Sequence, residues 1–489
     1  MLFPTLDFAI FFVIVFAVAW WLRRVDAPRK TFLLAASYFF YGYWDWRFCF
    51  LLLTASLVAW FAGLAIANAD RERTKRGAVW VSVLLLLSIL AYFKYAGWFL
   101  ESLGDVLATV GWERDLPVLE IILPVGISFF TFQAISYVVD VKRGQVEPKR
   151  SPLDLLLYVS FFPQLVAGPI VRAADFLPQL EQRPRLTRFM LASGLVLIAV
   201  GLMKKMVIAN WVATNFVDDT FLQPSNYDTA MLLLGVYGYA VQIYCDFSGY
   251  SDMAIGTALL LGYRFRENFN QPYRATSLQE FWRRWHISLS QWLRDYLYVP
   301  LGGNRKGPIR TYINLFLTML LGGIWHGASY NFVIWGMLHG AVLGIERKAR
   351  SILAPRADPV PDAAFKRISW WPAPLRLSWL SSVVGVLVTF HFVCLCWIFF
   401  RAQDLSTSIA YISGIAAMDG DLDGVTPFRL LLVFVPLMFH FTPRYLDLHM
   451  AQSVRRWPTW AICLAFAVAL LVIEWIAPPG TPPFIYFQF

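Results

Sequence analysis

This 489-residue chain contains only five cysteines, and Cys49, Cys245, Cys394, Cys396 and Cys463 all lie in or beside apolar runs. None stands at zinc-ligand spacing from histidines, and Cys394 and Cys396, two positions apart, face different sides of a helix. The pattern argues against a metal site and a disulfide framework, and the five are expected to be small core hydrophobes. Other signatures are missing as well. No Gly-x-x-x-x-Gly-Lys-Ser/Thr string is present, which removes P-loop nucleotide hydrolysis. No internal repeat stands out, which weakens a transporter built on inverted repeats. No basic region precedes the first apolar run and no small-residue cleavage site follows it, so that run is expected to remain as an anchor.

Apolar residues are what the chain has in excess. It is 58% hydrophobic and 17% aromatic with mean hydropathy +0.54, against roughly 45–50% apolar content in soluble domains. An all-α polytopic membrane protein follows, with a single membrane domain over 1–489. Runs of spanning length occur near 6–22, 31–50, 51–68, 78–98, 119–139, 189–208, 229–250, 311–327, 330–346, 380–400, 428–442 and 459–477, so about 11–12 transmembrane helices are expected. The apolar stretch 153–171 is interrupted by Pro163, Gly168 and Pro169 and suits a re-entrant or broken helix packed inside protein.

Loop charges set an orientation. Arg23, Arg24, Arg29 and Lys30 follow the first run, Arg71, Arg73, Lys75 and Arg76 the third, and Lys142, Arg143, Lys149 and Arg150 the fifth. The positive-inside rule makes these loops cytoplasmic. The acidic loops with Glu101, Asp105, Glu113 and Asp115, and with Asp218, Asp219 and Asp228, fall on the other face. The net charge of +10 therefore reads as membrane topology and contact with anionic lipids, not as nucleic-acid binding. The longest polar linker, Lys348 to Arg376, is expected to be a cytoplasmic loop.

The most polar region is 264–310. Ser277-Leu278-Gln279-Glu280 has capping-box spacing, so a helix is expected to start there. Phe281, Trp282, Trp285, Leu289, Trp292, Leu293 and Tyr296 then recur on one face, with Arg283, Arg284, Gln291, Arg294 and Asp295 opposite. That predicts a basic amphipathic helix in or just below the headgroup plane. It contains His286 and is followed by the cationic loop Gly302-Gly303-Asn304-Arg305-Lys306-Gly307, whose backbone N–H groups could hold a phosphorylated donor.

His326 is the sharpest single candidate. It follows Leu320-Leu321-Gly322-Gly323-Ile324-Trp325 between apolar runs, and ionisable groups at membrane depth are costly and tend to be functional. The run from Tyr312 to Trp325 would span only about 21 Å, short of the roughly 30 Å hydrocarbon core. If it starts at the basic side, His326 ends a helix at mid-membrane depth, facing a cavity. His339, 13 residues on, could face the same cavity; His391 reads as a satisfied core residue, and His440 and His449 lie near a helix end.

Several long strings in order carry a resemblance. Asn268-Phe269-Asn270-Gln271-Pro272-Tyr273, Glu280-Phe281-Trp282-Arg283-Arg284-Trp285-His286-Ile287-Ser288-Leu289-Ser290, Trp292-Leu293-Arg294-Asp295-Tyr296 and Leu301-Gly302-Gly303-Asn304-Arg305 closely resemble the membrane-bound O-acyltransferase family, in its branch that acetylates bacterial exopolysaccharides such as alginate. Phe162-Pro163-Gln164-Leu165, Tyr244-Cys245-Asp246-Phe247-Ser248-Gly249-Tyr250 and the terminal Tyr486-Phe487-Gln488-Phe489 extend it, and it is densest over 242–347.

The resemblance implies a central tunnel, a catalytic His326, and a second functional histidine or asparagine in the polar region containing His286. It further implies an acetyl group taken from a cytoplasmic thioester, acetyl-coenzyme A or an acyl carrier protein, and delivered across the bacterial inner membrane to a polysaccharide through a periplasmic acetyltransferase partner. No tightly bound cofactor and no metal are expected. A neutral imidazole suits the removal of a proton from a hydroxyl attacking a thioester. Arg283, Arg284 and Arg294 fit the donor mouth, and His286, Arg294 or Trp325 would orient the thioester or stabilise its oxyanion. A different polymer such as cellulose is the alternative acceptor. The competing class is a non-enzymatic channel or exporter gated by His326.

Overall fold

The computed structural model describes residues 1–111, 121–166, 168–353, 379–443, 446–480 and 484–485. Among them the chain forms helices joined by turns and short extended segments, with no strand. Hydrocarbon offers no partner to a backbone N–H or C=O, and a helix satisfies its own. Seven helices are long and apolar enough to cross a membrane: Leu6–Arg24, Phe48–Asn68, Glu72–Thr109, Arg188–Leu222, Thr229–Leu260, Trp379–Arg401 and Thr459–Ile476.

The other five expected spans are helices of different character. The run near 31–50 is broken, because Asp26–Gly42 ends and a new helix begins at Phe48. The helix expected from 119 starts only at Ile127, after Gly126 turns the chain at φ +76°. That helix, Ile127–Lys142, is buried at every residue but Val139 and Lys142, and it carries Thr131, Gln133, Ser136 and Asp140 inward. Surrounded by other helices, it does not need a lipid-like composition. Gly307–His326 and Tyr330–Leu353 are likewise long but too polar to meet the same standard, and Pro427–Met438 is short.

The interruption at 153–171 has the expected form. Pro152–Ser160 is helical, Phe161 leaves the helix, Phe162–Leu165 makes one further turn, and the chain runs extended from Pro169 to Arg172. Its backbone is satisfied by the protein: Ile170 N donates to Ser288 Oγ at 3.0 Å, Tyr158 OH to Val171 O at 2.9 Å, and Gln164 Nε2 to Tyr158 O at 2.6 Å.

Small residues let the central helices approach. Gly194 faces Gly256 and Gly201 faces Gly249, where a Cβ on Gly256 or Gly249 would stand 2.6 or 2.7 Å from the opposing carbonyl oxygen. Backbone contact of this kind drives helix association where no hydrophobic effect operates between helices. Just past Gly201 the Arg188–Leu222 helix widens into π turns over Met203–Ala209, presenting Lys204 to Asp252 at 2.6 Å and Lys205 to Asp246 at 2.5 Å. The second pair is 2% and 3% exposed. Asp246 also accepts from Ile485 N at 2.8 Å, which anchors the described tail residues to the core. From residue 354 the polar linker lies outside the described residues, as does the terminal Tyr486–Phe489.

Candidate active site

His326 is the last residue of Gly307–His326, a helix of 20 residues. At 1.5 Å per residue it is about 30 Å long, longer than the apolar run from Tyr312 to Trp325 alone, so the expectation of a short helix is corrected. The added length comes mainly from Gly307 to Thr311, which Arg310 and Thr311 separate from the apolar run. Packing against protein buries His326 to 4% exposure. Its ring lies 5.0 Å from that of Trp335 and 5.1 Å from that of Phe400. The close approach of the Tyr330–Leu353 helix depends on Gly323 and Gly336: a Cβ on Gly323 would stand 2.3 Å from Phe332 O.

A helix end leaves carbonyls without intrahelical partners. Here Lys94 Nζ donates to Trp325 O at 2.6 Å and His326 O at 2.8 Å, and Tyr95 OH donates to Ile324 O at 2.8 Å. The ammonium also lies 5.7 Å from the Trp325 ring centroid. Sequence reasoning missed Lys94. The available signal was a lone lysine inside the apolar run 78–98, since intramembrane cations seldom lack a role.

Two cavities flank this helix and share no lining residue. The first, about 50 Å³, is lined by Lys94, the Leu123–Phe129 segment, Trp325 and His326. The second, about 280 Å³, lies between Gly307–His326 and the 278–298 segment, with Arg283, Arg294 and Arg347 in its walls beside Trp282, Met319 and Leu343. Between them stand aromatic rings: Trp335 lies 5.0 Å from His326, 5.7 Å from Trp282 and 4.5 Å from His339. His339 is fully buried and accepts from Trp282 Nε1 at 3.3 Å. His391, expected in the core, is instead exposed on the outer helix surface, satisfied by Tyr237 OH at 2.9 Å and Leu387 O at 2.7 Å.

The helix start at Ser277 is confirmed. Ser277 Oγ accepts from Glu280 N at 3.1 Å, and Glu280 reaches back to Thr276 N at 3.0 Å. The single amphipathic helix at the headgroups is corrected, however. Two seven-residue helices, Leu278–Arg284 and Ile287–Leu293, meet at a break, and Phe281, Trp282, Trp285, Leu289, Trp292 and Leu293 are buried within the protein. Trp292 stacks on Phe132 at 3.7 Å. The break is held by the preceding strand-like segment, with Asn270 N donating to Arg284 O at 2.8 Å and Ile287 N to Asn268 O at 2.9 Å. Helical periodicity continues across the break, so sequence pattern could not find it.

His286 sits at that break with φ +41°, fully buried. A left-handed conformation in such a residue costs on the order of 1–3 kcal/mol, and such strain concentrates at functional sites. Asn268 Oδ1 lies 3.2 Å from His286 Nδ1 and also accepts from Ser288 N at 3.1 Å and Ser288 Oγ at 2.9 Å. Because that oxygen only accepts, Nδ1 carries the proton and Nε2 the lone pair. Nε2 has no hydrogen-bond partner among the described residues. In this tautomer His286 is an acceptor, not a donor to an oxyanion. Asn268, quoted above only within a string, is thus a positioning residue that sequence reasoning left without a role.

The arginines separate. Arg283 and Arg294 line the larger cavity, whereas Arg284 pairs with Glu280 at 2.7 Å and donates to Asn270 O at 3.2 Å, outside it. Arg294 is also held by Asp295 at 2.5 Å. Trp325 lines the smaller cavity and packs its ring 5.2 Å from Phe132. Among the described residues no group of three or more metal-ligating side chains occurs.

The fold is thus a multi-pass helical protein with a histidine buried at a capped helix end, lining one cavity and separated by aromatic rings from a second. The membrane-bound O-acyltransferase family matches residues 33–373, and the chain belongs to that family. It is 38% identical to the probable alginate O-acetylase AlgI of Pseudomonas putida over 94% of both chains. It is 43% identical to the corresponding protein of Azotobacter vinelandii over 78% of this chain and 71% of that one. The peptidoglycan O-acetyltransferase of Helicobacter pylori is 36% identical over 80% of this chain and 74% of its own length. The protein is therefore a membrane O-acyltransferase.

Proposed function

We propose that this enzyme takes acetyl from a thioester on the cytoplasmic side of the bacterial inner membrane and passes it to a hydroxyl presented from the other side, for O-acetylation of an exopolysaccharide such as alginate. The observation that carries the reading is His326 itself, lining the small cavity while a separate, arginine-lined cavity lies behind the aromatic rings. By the charge rule the larger cavity, beside Arg294 and Arg347, belongs to the cytoplasmic face. Its three guanidinium groups suit the phosphates of acetyl-coenzyme A or of an acyl carrier protein's prosthetic arm. The same rule puts Lys142 at the cytoplasmic end of Ile127–Lys142, which assigns the smaller cavity, beside Leu123–Phe129 at the other end, to the periplasmic side.

The chemistry then follows from the residues. His326 accepts the proton of the acceptor hydroxyl as its oxygen attacks the thioester carbonyl; the new C–O bond forms, the C–S bond breaks, and the thiol leaves with a proton. Lys94 holds the end of the helix so that the imidazole keeps its place. Movement of the Trp335 and Trp282 side chains would join the two cavities during turnover. Delivery to the polymer through a periplasmic acetyltransferase fits the small size of the outer cavity, about 50 Å³, which has no room for a polymer chain.

The test is His326→Gln in a polymer-producing strain, with polymer yield and ester acetyl content both measured at equal membrane abundance. Glutamine retains a side chain of similar bulk and cannot serve as the base. General-base loss removes about 10²–10⁴ in rate, equivalent to roughly 2.7–5.4 kcal/mol of barrier. Polymer made in normal amount but lacking acetyl supports the transferase. Loss of the polymer itself would mean an exporter, and normal acetylation would remove His326 from the mechanism.

A further inference from the structure

Away from both cavities, a third opening of about 640 Å³ lies where the first membrane helix ends and the Arg188–Leu222 helix is about to begin. Arg23, Arg24, Arg183 and Arg185 line it, with Phe16 and Trp20, and no carboxylate is in its walls. All four arginines are exposed, while Phe16 and Trp20 are half-buried. The nearest acids in sequence are engaged elsewhere, Asp26 by Arg29 and Lys30 and Glu181 by Lys149.

The walls are built. Trp20 Nε1 donates to Leu260 O at 3.1 Å, which fixes the indole, and the Trp20 ring lies 6.1 Å from that of Phe16 and 6.0 Å from the Arg23 guanidinium. The loop bearing Arg183 and Arg185 packs against the turn at Gly262, where a Cβ would stand 2.7 Å from Pro184. Toward the membrane, the first helix continues as an exposed apolar face through Ile10, Val13 and Ile14. Four guanidinium groups above two aromatic rings, at the level where a helix leaves the membrane, match a molecule with an anionic head and apolar chains.

We propose that this pocket binds one anionic phospholipid of the cytoplasmic leaflet, Arg23, Arg24, Arg183 and Arg185 holding the phosphate and Phe16 and Trp20 flanking the first segments of the acyl chains. The guanidinium fork matches phosphate oxygens in geometry as well as charge. The site is independent of acyl transfer and stands or falls without it.

The test is native mass spectrometry of the full chain released from nanodiscs of equimolar phosphatidylglycerol and phosphatidylcholine. The wild type should retain one phosphatidylglycerol in preference to phosphatidylcholine. The double variant Arg183→Gln/Arg185→Gln, which leaves Arg29 and Lys30 to hold the topology of the first loop, should lose that preference by roughly thirtyfold. Arg183→Lys/Arg185→Lys should keep much of it, and Arg71→Gln/Arg73→Gln, an equal charge loss elsewhere on the same face, should keep it all. If the Arg71/Arg73 variant falls as far as the Arg183/Arg185 variant, the attraction is diffuse and the pocket is refuted. Equal retention of both lipids by the wild type refutes it also. Displacement of the bound lipid by millimolar inorganic phosphate would assign the site to a free anion instead of a lipid.

Discussion

Replacing Lys94 by methionine tests the link between the Glu72–Thr109 helix and the proposed base. Methionine keeps the length of the side chain but removes the ammonium that holds Trp325 O at 2.6 Å and His326 O at 2.8 Å. Hydrogen bonds to a charged group contribute about 1.5–3 kcal/mol each, so the gross loss is about 3–6 kcal/mol. Sparing the cost of a partly buried ammonium offsets some of this. A net destabilisation of about 2–4 kcal/mol is expected, read as a lowered thermal midpoint of the detergent-purified protein. Activity should fall further than stability, because the frayed carbonyls belong to His326 and the residue before it. A displacement near 1 Å costs about 10²-fold in rate. Lys94→Arg, which restores a cation, should recover part of both. The assay is acetyl transfer at equal membrane abundance alongside the thermal midpoint. A Lys94→Met protein with wild-type midpoint and rate would refute the view that Lys94 holds His326 in place.

Gly323→Ala puts a methyl group where Phe332 O and Gly336 Cα stand 2.3 and 2.9 Å away; the helices must separate, and acetyl transfer should drop at least tenfold with a lower thermal midpoint, whereas Gly77→Ala, where nothing lies within 4 Å, should change neither. Arg283→Gln should raise the KM for the acyl donor and lessen its dependence on salt, because Arg283 lines the large cavity; Arg284→Gln should leave KM alone, since that side chain is occupied by Glu280 and Asn270. Cysteines introduced at Asn304 and Lys306, both exposed in the turn before Gly307, should react with impermeant thiol reagents only from the cytoplasmic side; labelling from the periplasm would invert the donor face.

Much of this protein was legible without its structure. Composition alone made it a membrane protein, because no soluble fold can hide that much apolar surface. The broken segment at 161–172 was marked by Pro163 and Pro169, and the helix start at Ser277 by its spacing to Glu280, since proline geometry and capping act within a few residues. His326 was marked by being ionisable between apolar runs.

What the chain could not announce were features created by contacts between distant residues. Lys94 reaches the His326 carbonyl across 232 positions, and Lys205 meets Asp246 only because the π turns after Gly201 rotate it inward. The break at His286 falls in an unbroken helical pattern and exists because Asn268 and Asn270 claim the backbone there, which also fixes the tautomer of the ring. Whether Arg283 or Arg284 faces the cavity is likewise invisible in a pair of adjacent arginines; it depends on which one Glu280 can reach. Local sequence determined where helices begin and break at prolines and caps, and packing among distant helices decided which polar groups share an interior, because only there does an unpaired charge or carbonyl find its partner across the fold.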